Sequence, residues 1–179
     1  MIRTFIAVNL TSAIREKIGE SEKDFDMKGI RLVEPGLVHV TVKFLGAIEE
    51  AKVDEIEAAL KKVTVKPFEA KIGSIGGFPR PTGPRVIWIG AEGNFKELYD
   101  QVETLMEGIG FPREGRFSPH VTIGRVKFPA PEHKEKLPAL FEKYSGFQAG
   151  EMTVDKVSLM KSTLSPRGPK YEVLREIRL

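Results

Sequence analysis

Apolar and polar positions along the chain sort into stretches of period two and period 3.6, and these periods define its elements. Residues 2–8 read as an opening strand. Thr11 or Ser12 caps a helix in which Ile14 and Ile18 lie four apart, with Phe25 near its end. Residues 38–45 alternate in period two and stop at Gly46, as a strand does. Val53, Ile56, Ala59 and Leu60 recur at helical spacing, so a second helix is predicted over 49–63. Residues 68–75 form a strand. The GGFPRPTGP run at 76–84 reads as loop, because its glycines and prolines sustain neither element.

The second half continues in the same way. Residues 85–90 (RVIWIG) make a short strand, and Asn94 caps a third helix that carries Leu98, Val102, Leu105 and Met106 and stops at Gly108 or Gly110. A strand lies within 118–128. A loop from 129 leads into a fourth helix reaching Tyr144. Residues 147–160 form one long strand or two pieces, 162–169 a polar loop, and 171–179 a closing strand. Mixed helices and neighbouring strands predict an α+β fold with largely antiparallel sheets. No linker divides the chain, so 1–179 is read as a single domain.

Composition narrows the classes. The chain has 179 residues, 41% hydrophobic and 30% charged, enough apolar content for a core and too much for disorder. A net charge of +3 permits a polyanionic partner without demanding one. With no cysteine, disulfides, thiolate metal sites and thiol nucleophiles are excluded. No apolar run reaches the ~18 residues of a membrane span. The apolar N-terminal stretch is too short for a signal peptide, so a cytoplasmic protein is expected. Gly73-Ser74-Ile75-Gly76-Gly77 lacks both the phosphate-loop lysine and the dinucleotide spacing, which leaves NTP and NAD chemistry without support.

The informative feature is a repeat. Two of the three histidines open matched tetrads, His39-Val40-Thr41-Val42 and His120-Val121-Thr122-Ile123, 81 residues apart. Duplication of one unit into two lobes is the simplest account. Side chains alternate across a strand, so each His shares a face with its Thr while the valines and isoleucine face the other way. Two such strands would line a groove with two imidazoles and two hydroxyls. Near neutral pH one imidazole can accept a proton and the other can give one. Each threonine can donate to a phosphate oxygen. The set suits metal-free phosphodiester cleavage. A single histidine beside a β-branched run would ordinarily be a packing residue, but packing has no reason to repeat His and Thr together. A metal site needs at least three protein ligands, and neither tetrad supplies a carboxylate or second His. His133, in Pro-Glu-His-Lys, reads as solvent-exposed.

Paired H-x-T-x tetrads half a chain apart resemble the two-histidine phosphoesterase superfamily. The flanking words, RTFIAV at 3–8, HVTVKFLG at 39–46, RVIWIG at 85–90 and FSPHVTIGR at 117–125, resemble its 2′-5′ RNA ligase, or RNA 2′,3′-cyclic phosphodiesterase, branch. The resemblance implies two pseudo-symmetric lobes, each an antiparallel sheet with helices outside, around a central cleft. It implies hydrolysis of a terminal RNA 2′,3′-cyclic phosphate to a 2′-phosphate, with no cofactor and no metal. His39 would be the proton donor and His120 the proton acceptor, with Thr41 and Thr122 holding the phosphate. Reversible, ATP-independent 2′-5′ joining of RNA ends is the other activity implied. The expected partner is an RNA ending in a cyclic phosphate, tRNA-like fragments included, acted on by a monomer without a membrane.

Candidate substrate-binding residues are Lys43, which shares the His39 face by alternation, Arg85 at the start of its strand, and Arg125. Strict alternation puts Arg125 opposite His120 unless a bulge at Gly124 turns it. Arg113, Arg116, Arg167 and Lys170 would widen a basic rim. Phe44 and Trp88 read as core, Tyr171 as a base-stacking platform. A non-catalytic RNA-binding module, a phosphodiesterase of small cyclic nucleotides and a metal-dependent hydrolase stay open as alternatives.

Overall fold

The computed structural model describes residues 1–179. Its elements are β1 (Ile2–Asn9), α1 (Ser12–Glu22), β2 (Ile30–Leu32), β3 (His39–Ile48), α2 (Lys52–Leu60), β4 (Phe68–Phe78), β5 (Val86–Glu92), α3 (Phe95–Glu107), β6 (His120–Val126), α4 (His133–Lys143), β7 (Gln148–Val154), β8 (Lys156–Ser165) and β9 (Gly168–Arg178). The strands run antiparallel in the order β7-β4-β5-β6-β3-β1-β8-β9, with β2 paired beside β6. The fold is α+β, as expected.

The sheet has two four-stranded halves, β7-β4-β5-β6 and β3-β1-β8-β9. They meet at one residue pair, Val40 and Val121, each the residue after a tetrad histidine. The helices lie on one side. Helix α1 follows β1 yet packs on β7, where Ile14 meets Gly150; α3 follows β5 yet packs on β3. The two halves therefore interlock through their helices. One core of 36 buried residues runs beneath both. On the opposite side only Phe5, Ala7 and Met160 form a small separate cluster, against which Tyr171 packs. That side carries the cleft.

Several boundaries differ from the sequence reading. Strand β3 runs on to Ile48 through Gly46, whose φ of +76° hosts a bulge opposite Thr4 and Phe5. Strand β4 continues through Gly76 and Gly77 to Phe78. Gly76 lies under the Trp88 indole of β5, and a Cβ there would clash with the ring. The strand needs glycine at this position, where glycine alone suggested a loop. The polar segment at 162–169 is mostly β8–β9 hairpin, with Pro166 and Arg167 between its strands. The three-residue β2 is too short to carry a period. His133 is buried: Nε2–H donates to the Lys28 carbonyl at 2.7 Å and Nδ1 accepts from the Ala130 N–H at 3.2 Å. It ties α4 to the segment before β2 and stands away from the cleft.

Candidate active site

Both tetrad histidines begin their strands, and each has the same orienting contact. His39 Nδ1–H donates to the Leu37 carbonyl at 2.8 Å, and His120 Nδ1–H to the Ser118 carbonyl at 2.7 Å. In each case the partner is a carbonyl two residues back, which only accepts, so the proton sits on Nδ1. Each Nε2 is thereby left for the cleft. In His39 it accepts from the Thr41 hydroxyl at 3.0 Å. Phe5 stacks on the His39 ring with centroids 4.8 Å apart, and Tyr171 meets its edge at 5.4 Å. Phe78 packs edge-on to His120 at 5.4 Å. Burial pushes the proton affinity of His39 below that of a free imidazole; the Leu37 carbonyl opposes this, and the charges of Arg15 and His120 add to it.

His39, Thr41, His120 and Thr122 line one cleft of about 860 Å³. Its charged lining is five cations, Arg3, Arg31, Arg125, Lys127 and Arg167, and one carboxylate, Glu34. None of the five cations forms an ion pair, so the cleft carries a net positive field.

Bulges decide which supporting residues reach it. In β3 the register with β1 skips Val42, so Val42 and Lys43 are both buried and Phe44 turns outward. Lys43 is therefore not in the cleft. It is 1% exposed and ion-paired at 2.6 Å with Glu103 of α3. Phe44, expected in the core, is 57% exposed and lines the cleft. In β6 the register with β5 skips Ile123, which brings Arg125 onto the His120 face. Arg85 precedes β5, is exposed, and stands outside the cleft lining, which the next residue, Val86, joins. Arg113 is bound to Glu107 and Thr104. Trp88 is half-buried on the cleft side of β5, stacked on Phe78 at 5.0 Å, and is not a core residue. Arg3, Arg31 and Lys127 were not singled out from the sequence. Lys127 follows Arg125 by two and Arg3 precedes Phe5 by two, so period two from a known face residue points to both.

A family model described as the 2′-5′ RNA ligase superfamily matches residues 11–165. The chain belongs to the 2′-5′ RNA ligase superfamily. Among its relatives, the RNA 2′,3′-cyclic phosphodiesterase of Methanocaldococcus jannaschii is 41% identical over 176 residues, 98% of this chain and 99% of that one. The protein of the same name from Archaeoglobus fulgidus is 39% identical over 97% and 98% of the two chains. Among solved structures, TT0787 of Thermus thermophilus superposes with a TM-score of 0.84 at 28% identity, covering 99% and 98% of the chains. Escherichia coli LigT complexed with 3′-AMP shares the fold, with a TM-score of 0.80 at 22% identity over 99% and 98% of the chains. In this superfamily member no helix is long and apolar enough to cross a membrane.

Proposed function

We propose that the protein hydrolyses RNA 2′,3′-cyclic phosphate ends to 2′-phosphates, with two histidines as acid and base. One observation carries the reading. The matched Nδ1–carbonyl bonds of His39 and His120 leave two Nε2 atoms for one cationic cleft, which Thr41, bonded to His39, and Thr122 also line. The names of the full-length relatives support the activity.

His120 is the base: its Nε2 takes a proton from water as the water oxygen attacks phosphorus. The P–O3′ bond breaks, and His39 Nε2–H protonates the departing 3′-oxygen. A 3′-hydroxyl and a 2′-phosphate remain. The Thr41 and Thr122 hydroxyls donate to non-bridging oxygens, and Arg125 offsets charge that grows on them. In the free protein the Thr41 hydroxyl bond and burial favour neutral His39. An anionic phosphate reverses that preference by drawing Thr41 away and supplying a negative neighbour. A 5′-hydroxyl in place of water gives 2′-5′ joining by the same steps. The two half-sheets, each with its tetrad, read as copies of one duplicated unit.

His39→Ala and His120→Ala test this reading. Each lowers turnover of a cyclic-phosphate RNA by about 10²–10⁴-fold while the far-UV spectrum and Tm hold. Wild-type turnover in either folded variant overturns it.

A further inference from the structure

The loop that delivers His120 has no regular structure between α3 and β6, yet it is pinned at successive points from below. Lys43 Nζ donates to Glu103 Oε1 at 2.6 Å and to the Pro112 carbonyl at 2.9 Å. The second Glu103 oxygen, Oε2, accepts the Glu114 N–H at 2.9 Å. The Tyr99 hydroxyl donates to the Glu114 carbonyl at 3.0 Å, and its ring stacks flat on Phe117 with centroids 4.3 Å apart. The next residue, Ser118, supplies the carbonyl that holds the His120 ring. Lys43 and Glu103 are 1% and 2% exposed, so the pair is removed from water.

A buried ion pair is a poor source of stability, because desolvating two charges offsets most of their attraction. Its distinctive property here is connection. Lys43 lies four residues beyond His39 on the same strand, and its partners belong to the segment that ends at His120. We propose that Lys43 and Glu103 are positioning residues: they fix the 112–118 loop so that the Ser118 carbonyl holds His120 in its Nδ1–H tautomer, with Nε2 aimed into the cleft that His39 shares. The role in turnover rests on the acid–base reading above; the hold on the His120 ring does not. Misplacing a reacting group by about 1 Å is enough to cost 10²-fold in rate.

The test is the double variant Lys43→Met/Glu103→Leu, which removes both charges together and so leaves no unpaired buried ion. Three quantities are read: Tm, the ¹⁵N signals of the His120 ring, and steady-state kinetics on a short RNA ending in a cyclic phosphate. The expected result is a Tm near wild type, loss of the single Nδ1–H signature, and a kcat about 10–100-fold lower with KM changed less than about threefold. Recovery of both the ring signature and kcat along with Tm would overturn the proposal, since the pair would then be packing alone. If the double variant does not fold, Tyr99→Phe gives the same reading, as it deletes only the hydroxyl bond to Glu114. A several-fold lower kcat with an altered ring signal supports the clamp, and unchanged values of both overturn it. A ring signal that shifts in a protein whose wild type never turns over RNA leaves the clamp standing and removes the acid–base reading.

Discussion

Phe44 and Arg125 occupy the same place in the two halves of the molecule. Each lies five residues beyond its tetrad histidine, and each is turned into the cleft by a bulge that absorbs one residue of its strand. The halves thus share a backbone device and differ in what it presents: an exposed aromatic ring in one, an unpaired guanidinium in the other. An aromatic face suits a base, and a guanidinium suits phosphate oxygens.

That difference separates two variants. Phe44→Ala raises KM for the cyclic-phosphate RNA about tenfold, since stacking on an aromatic ring is worth about 1–3 kcal/mol per base. The ring is exposed, so stability changes by less than about 0.5 kcal/mol. Arg125→Ala lowers kcat/KM by about 10–100-fold, and Arg125→Lys recovers only part, because lysine loses the forked geometry. Steady-state kinetics on both variants checks the assignment, and indistinguishable kinetics would contradict it.

With the proposed roles, the half-buried His39 sets the pH behaviour. Its proton affinity in the free protein lies below the ordinary imidazole value of about 6.5, so the proton-donating form is lost as pH rises before that point. The alkaline limb of kcat/KM, which reports the free protein, therefore falls below pH ~6.5. The limb of kcat reports the complex, where the phosphate charge restores the proton, so it lies higher. A kcat limb at or below that of kcat/KM contradicts the donor role.

Glu22 governs a separate pH effect on stability. Burial at the end of α1 pushes its carboxyl up to about 8, and its Oε1 has no partner. The folded protein then holds a proton that the unfolded chain releases above its ordinary value of about 4.3. The stabilising contribution is fully present below that value and is lost as pH rises through 8. Glu22→Gln removes the penalty, so the variant is clearly more stable than the wild type at pH 8 and almost equal to it at pH 4. Denaturant melts at the two pH values check this. An equal offset at both contradicts it.

Salt tests the cationic lining. Five unpaired cations face the cleft, so weakening of RNA binding with added salt is set by the phosphates they neutralise. Replacing Arg31 and Lys127 together with Gln reduces the slope of log K against log salt by about 1–2. An unchanged slope would place the RNA elsewhere.

The strands other than β2 and the four helices were legible in the sequence because each depends on a local period, and the matched tetrads because they repeat. What escaped depends on pairing. Nothing in 39–48 announces that Val42 is skipped against β1, yet that skip buries Lys43 and exposes Phe44. At Gly124 the glycine hinted at such an irregularity, and Arg125 does face the cleft. Gly76 looked like a loop residue because the ring that needs its missing side chain belongs to another strand. His133 looked exposed because its bonding partner, the Lys28 carbonyl, is 105 residues away.

The central claim is tested most directly by incubating the protein in EDTA with a short RNA ending in a 2′,3′-cyclic phosphate, then locating the product phosphate by mass and NMR. The account predicts water addition that leaves the phosphate on the 2′-oxygen, at the same rate with and without the chelator. A 3′-phosphate product, unchanged RNA with folded protein, or turnover restored only by adding a metal ion would contradict it.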